Sequence, residues 1–201
     1  MFRNLITKQI MHALIKEIAT VQSGIYQKEF PEGDVIYLQV NDFEDTMPKK
    51  KQLHPSLLYA EKLGGHILEE GDLLFAAKGT SNFCALYHAE TGNAVASSAF
   101  FVIRIKDKDL LLPNFLCWYL NHPAILALLQ SQAVGSSIPS ITKRMLEELE
   151  INLPDKEWQL KIVEISRLHQ QEKKLRQSIA EKRNLLLHAS LYTIIKPNNN
   201  I

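Results

Sequence analysis

Gly71-Asp72-Leu73-Leu74-Phe75-Ala76-Ala77-Lys78-Gly79-Thr80-Ser81-Asn82-Phe83-Cys84-Ala85-Leu86-Tyr87 is the stretch that decides the fold class. Its apolar runs, 73–77 and 83–87, are each too short for a helix, and a polar break separates them. That is the pattern of two buried strands joined at a tip, with Gly71-Asp72 as the turn that opens the first. Downstream, Thr91-Gly92-Asn93 leads into Ala94-Val95-Ala96, and Phe100-Phe101-Val102-Ile103-Arg104-Ile105 is a further strand stopped by Lys106-Asp107-Lys108-Asp109. Upstream, Asp34–Val40 is a β-branched and aromatic run that breaks at Asn41-Asp42, while 43–66 has weak periodicity and reads as mostly loop. Short strands separated by turns predict a mixed, twisted, partly antiparallel sheet.

Helices bracket this β region. Leu5, Ile6, Ile10, Leu14, Ile15 and Ile18 have helical spacing, which predicts a helix over 5–21 with Gly24 as its stop. Pro113 sits where a helix begins, and Phe115–Leu120 supplies a buried aromatic face. Asn121-His122-Pro123 breaks that helix before a second over 124–130. Gly135-Ser136-Ser137-Ile138-Pro139-Ser140 is a loop, Thr142 caps a helix through Glu150, and Ile151-Asn152-Leu153-Pro154 is an extended exit.

From Lys156 to Thr193 the chain is one long charged helix without internal Gly or Pro. Alternating steps of three and four give Ile165, Leu168, Glu172, Leu175, Ile179, Lys182, Leu186 and Ala189, a heptad seam interrupted by two opposite charges. An antiparallel pair of identical helices centred on Gln177 sets Glu172 against Lys182 of the other copy, twice. A parallel pair opposes like charges, so the antiparallel coiled coil is the expectation. The competing reading is an ordinary amphipathic helix folded on its own core.

The expected class is therefore α+β: a mixed-sheet domain with short helices over 1–154, a dimerisation or spacer helix over 155–193, and a flexible tail over 194–201. At 201 residues, 46% hydrophobic and 22% charged, the chain has the composition of a folded globular protein. Cys84 and Cys117 show neither disulfide-framework nor zinc spacing and read as buried free thiols. Lys8, His12, Lys16 and Glu17 interrupt the first segment, which excludes a signal peptide, and no apolar run approaches the length of a membrane span; a cytoplasmic location is expected.

Catalytic motifs are not found. There is no Gly-x-Gly-x-x-Gly, phosphate loop, Gly-x-Ser-x-Gly elbow or His-Glu-x-x-His, and Cys84 with His88 makes a poor nucleophile pair on a strand and turn. Neither a metal nor a cofactor is expected. The strand tip Lys78, Gly79, Thr80, Ser81 and Asn82 suits DNA: a lysine and backbone N–H groups for phosphate, and short polar side chains for sugar or base edges. A solvated turn is the plain alternative. Lys49, Lys50, Lys51 and Gln52, the loop serines Ser136 and Ser137, and Lys143 with Arg144 are the other candidates. A net charge of +1 means that basic residues must be concentrated locally or that another subunit supplies much of the phosphate attraction.

The order of these blocks resembles a type I restriction-modification specificity subunit. Gly71–Phe75 with Gly79-Thr80, the strand 100–105, Pro113–Leu120 and Gly135–Ile141 look like successive blocks of its target-recognition domain. Ile151-Asn152-Leu153-Pro154 followed by Glu157-Trp158-Gln159-Leu160-Lys161-Ile162-Val163 is similar to the family's entrance into its long helix, although Trp158 stands where an acidic or polar residue is usual. The resemblance covers most of the chain, yet a full specificity subunit has two recognition domains and two helices, and this chain has one of each. It implies a non-catalytic reader of double-stranded DNA that docks modification subunits, which carry the S-adenosylmethionine chemistry, and a restriction subunit that cuts. Homodimerisation through the helix supplies the missing half and favours an interrupted palindrome. Three readings stand beside it: an interaction adaptor that dimerises without reading DNA, a small enzyme with an unrecognised site, and the product of a truncated half-gene.

Overall fold

The computed structural model describes residues 10–44, 46–48, 53–78, 81–133 and 139–195. In chain order its elements are β1 (Met11–Leu14), α1 (Ile15–Ile18), β2 (Ala19–Ser23), β3 (Val35–Leu38), β4 (Phe43–Glu44), β5 (Met47–Pro48), β6 (Pro55–Leu57), β7 (Leu73–Ala76), β8 (Cys84–Leu86), β9 (Ala94–Ala96), β10 (Phe100–Ile105), α2 (Pro113–Leu120), α3 (Pro123–Ser131), α4 (Lys143–Glu147), β11 (Glu150–Leu153) and α5 (Lys156–Ile195). Two compact units result, Met1–Leu160 and Lys161–Ile201.

The first unit holds two main sheets. One is antiparallel throughout in the order β2-β10-β7-β8; the other runs β6-β3-β9, with β3 and β9 parallel. Their facing sides make one core, in which Ile36, Leu38, Ala94 and Ala96 meet Leu74, Ala76, Phe100 and Val102. Phe43, Phe83 and Phe100 close its edge as a three-ring cluster with centroids 5.5–6.1 Å apart, the spacing at which tilted and edge-on rings attract. The alternate residues of β3, Val35 and Tyr37, pack on the other side with Leu57 and Val95. Both faces of β3 are therefore covered, which is why its sequence is a continuous apolar run and not an alternating one.

The helix expected over 5–21 is not what forms at its described residues. Met11–Leu14 and Ala19–Ser23 are strands joined by the single turn α1, pairing antiparallel with β11 (His12 opposite Asn152) and with β10 (Val21 opposite Ile103). Ala13, Ile15, Ile18, Ala19 and Val21 are buried by this strand, turn, strand arrangement, so apolar spacing that suits a helix is satisfied another way. Partners 78 or more residues away outweigh local propensity here. The same pairing ends the next expected helix early. Thr142 caps α4 by accepting the Met145 N–H at 3.3 Å, but α4 stops at Glu147, because Glu150 is drawn into β11 opposite Leu14. Gly24 is not a helix stop either. A Cβ there would lie 2.1 Å from the Ser97 carbonyl oxygen, so glycine is required where two backbones touch. The stretch 43–66 is less irregular than expected, containing the β4–β5 hairpin, β6 and a 3-10 turn over Glu61–His66.

Candidate nucleic-acid interface

The end of β7 is shaped by what happens to its carbonyls. The Ala76 N–H donates to the Phe83 carbonyl at 2.8 Å, and the Ala76 carbonyl accepts the Asn82 side-chain amide at 3.0 Å, so Asn82 and Phe83 are held against the end of β7. Asn82 is thereby turned inward and buried, and its carbonyl oxygen accepts the Gln130 amide of α3 at 3.1 Å. Lys78 and Ser81 remain exposed. One step outward, the Ala77 carbonyl accepts the Ile141 N–H at 2.9 Å, and Lys78 forms an antiparallel bridge with Ser140. The structure thus brings Lys78 alongside Ser140.

Gly79, Thr80, Ser136 and Ser137 lie outside the described residues, as do Lys49, Lys50, Lys51 and Gln52. Lys143 and Arg144 follow Ile141 closely and are exposed on α4. They pair with Glu147 at 3.4 Å and Glu148 at 2.9 Å. Exposed pairs of this kind are worth only about 0.3–0.5 kcal/mol, so both cations can turn to a phosphate at small cost.

Two polar anchors, Asp72 of the opening turn and Gln159 of the helix entrance, hold the unit through buried bonds that the sequence alone does not show. Asp72, 1% exposed, receives Arg104 bidentately, Nε to Oδ1 at 2.8 Å and Nη2 to Oδ2 at 2.7 Å, and also accepts the Glu69 N–H at 2.8 Å. The hydrogen bond that Arg104 donates to Asp72 holds the guanidinium pKa above its ordinary value despite partial burial. The hint in the sequence was Arg104 itself, the one charge in an otherwise apolar strand. Gln159, in the first turn of α5, is fully buried; its amide donates to the Leu110 and Pro154 carbonyls and accepts the Leu112 N–H, each at 2.9 Å. Both N–H groups of that amide and its carbonyl oxygen are used, which ties the helix entrance to the loop that opens α2.

Cys84 is buried, and burial pushes its thiol pKa well up, the reverse of nucleophile activation. Its backbone N–H and carbonyl pair with the Asn121 side chain at 2.9 and 2.7 Å, which protects the edge of the β2-β10-β7-β8 sheet. His88 pairs with Glu70 at 3.0 Å. Among the described residues no group of three or more His, Cys, Asp or Glu could hold a metal, and no helix is long and apolar enough to cross a membrane. On α5, a 40-residue helix, the seam residues Ile165, Leu168, Leu175, Ile179 and Leu186 are 50–68% exposed. Lys182 and Ala189 are exposed as well, and Glu172 is held by Arg176 at 2.6 Å.

Residues 11–184 match the family described as the type I restriction modification DNA specificity domain. The S subunit of a type I restriction-modification system from M. genitalium is 17% identical with a TM-score of 0.60, over 98% of this chain and 48% of that one. The HsdS subunit from Thermoanaerobacter tengcongensis is 19% identical with a TM-score of 0.61, over 95% and 50%. A chain from a study of assembly and conformational transition in the type I R-M system is 20% identical with a TM-score of 0.64, over 89% and 43%. At these identities the likeness is one of fold, and the chain spans about half the length of the structures it matches. No curated protein matches.

Proposed function

The chain belongs to the family of type I restriction-modification DNA specificity domains, and from that premise we propose that it reads one half of a bipartite duplex site on behalf of modification and restriction subunits. The observation that carries this reading is the bridge between Lys78 and Ser140, which joins two polar segments of the sequence just past the end of β7, with Lys143 and Arg144 close behind in sequence. Lys78, with the backbone of Gly79, contacts phosphate. Thr80, Ser81, Ser136 and Ser137 reach sugar and base edges, and Lys49, Lys50, Lys51 and Gln52 with Lys143 and Arg144 add electrostatic positioning. Asn82 holds the tip in shape from within.

Two copies supply two half-sites. Pairing of α5 with its symmetry mate through Ile165, Leu168, Glu172, Leu175, Ile179, Lys182, Leu186 and Ala189 buries the exposed seam and opposes Glu172 to Lys182. A 40-residue helix is about 60 Å long, enough to separate two recognition domains along a duplex. Residues 1–154 then read, 155–193 measure, and catalysis is left to the other subunits.

Alanine substitutions separate positioning from reading, with binding measured to a panel of duplexes in the presence of modification subunits. Lys78→Ala weakens every duplex by a similar factor and lowers the salt dependence by about one phosphate contact. Ser81→Ala and Thr80→Ala change the preference among sequences. Equal loss on all sequences for all three variants would contradict base reading by this tip.

A further inference from the structure

The chain has two cysteines, and the fold brings them together. Cys84 begins β8 and is buried, whereas Cys117, 33 residues further on, lies in α2 and is only half-buried. Small solutes therefore reach one thiol of the pair and not the other. The Cys117 thiol approaches the Cys84 carbonyl at 3.4 Å, and the two thiols hydrogen-bond one another. Asn121, one turn beyond Cys117, clamps both. Its side-chain oxygen accepts the Cys84 N–H at 2.9 Å, and its nitrogen reaches the Cys84 carbonyl at 2.7 Å, the Cys117 carbonyl at 2.9 Å and the Cys117 sulfur at 3.7 Å. A disulfide forms only where the backbone already holds two sulfurs face to face, and here a strand and a helix are locked in that arrangement by one amide.

We propose that Cys117 and Cys84 are a reversible thiol pair: hydrogen peroxide oxidises the accessible Cys117, and the buried Cys84 resolves it as an intramolecular disulfide joining α2 to β8. In the first step Cys117 gives up its proton to solvent and its sulfur attacks one peroxide oxygen. The O–O bond breaks, hydroxide leaves and takes up a proton, and the sulfur becomes a sulfenic acid, oxidised by two electrons. In the second, the Cys84 sulfur attacks that of Cys117. The S–S bond forms, the S–O bond breaks, and the hydroxyl leaves with the Cys84 proton as water, so two thiols and one peroxide become one disulfide and two waters. Burial keeps Cys84 protonated, which makes it the resolving partner and never the first to react. The new bond braces the end of β7 from behind, because α3 follows α2 directly and its Gln130 holds Asn82, two residues before Cys84.

Intact-mass spectrometry of the full chain, reduced, freed of reductant and then treated with hydrogen peroxide, tests the pair without any substitution. The expected product is lighter by two hydrogens, yields a single linked peptide containing Cys84 and Cys117, and returns to two free thiols with dithiothreitol. Amides of α2 exchange more slowly in the oxidised form. The order of events is read with dimedone, which traps sulfenic acids. Cys84→Ala accumulates one adduct at Cys117, and Cys117→Ala gives roughly tenfold less adduct at Cys84. The disulfide forms at a rate that sub-denaturing urea leaves unchanged. Oxidation of Cys117 to sulfinic acid with Cys84 still free would overturn the assignment, and so would a disulfide between two copies through Cys117 alone. A rate that climbs with urea would mean that only the opened chain reacts, which also overturns it.

Discussion

Replacing Gln159 with methionine nearly conserves volume while removing all three amide hydrogen bonds, so the change isolates their contribution. The Leu112 N–H and the Leu110 and Pro154 carbonyls, each now bonded at 2.9 Å, lose their partner in a site where the side chain is fully buried. A buried bond contributes about 1 kcal/mol net, and a stranded buried group costs about 1–3 kcal/mol. Thermal relaxation of the loop recovers part of that, which leaves an expected loss of about 3 kcal/mol. For a chain of this size that is a fall in Tm of roughly 6–12 °C. Urea unfolding is the assay, with the midpoint shifting and the m-value held, together with hydrogen exchange at the Leu112 amide, which loses protection even where global stability is restored by added osmolyte. A loss below about 1 kcal/mol with Leu112 still protected would refute the claim that this amide ties the helix entrance to the loop before α2.

Three further outcomes follow from the same geometry. Asp72→Asn breaks the bidentate pair with Arg104, and because the guanidinium is 37% exposed and partly rehydrates, the cost is about 2 kcal/mol in urea unfolding and below that of a fully buried pair; no change would deny the pair its anchoring role. Glu70 has its pKa lowered, chiefly by the Ala89 N–H and then by His88, so its contribution is present above the ordinary glutamate pKa and is lost as pH falls through the depressed folded value. As Glu70 is exposed, solvent screening limits this to about a few tenths of a kcal/mol, seen as a gap between wild type and Glu70→Gln that closes in acid and would be contradicted by a gap constant with pH. Glu172→Lys weakens self-association in sedimentation about tenfold and Lys182→Glu in the same chain restores it, whereas a parallel pairing predicts little change in either variant, since like charges face one another in all three chains.

The elements that were legible in the sequence are those whose signals are local. Ala94–Ala96, Phe100–Ile105 and Pro113–Leu120 form where their runs and the proline at the helix start put them, and Thr142 caps as its type suggests. What was not legible depends on distant partners. Met11–Ser23 carries helical spacing, and only its pairing with Glu150–Leu153 and Phe100–Ile105 makes it two strands. Gly24 looks like punctuation, and its real constraint, the Ser97 carbonyl, is 73 residues away. At the tip, Asn82 and Ser81 are equally polar in the sequence. The inward turn of Asn82 follows from two partners, the Ala76 carbonyl and the Gln130 amide, that no pattern reveals. Gln159 was visible as part of a familiar entrance motif, but its buried three-bond role needs the 110–112 loop to be in view.

The most direct test of the central claim is selection of bound duplexes from a random pool by this chain together with modification subunits, on a sample whose mass has been measured by light scattering. The account predicts a specificity-chain dimer that enriches an interrupted palindrome with one fixed spacer, since two identical domains related by a twofold axis read inverted half-sites. A dimer that enriches no sequence, or enriches a single undivided site, would contradict it.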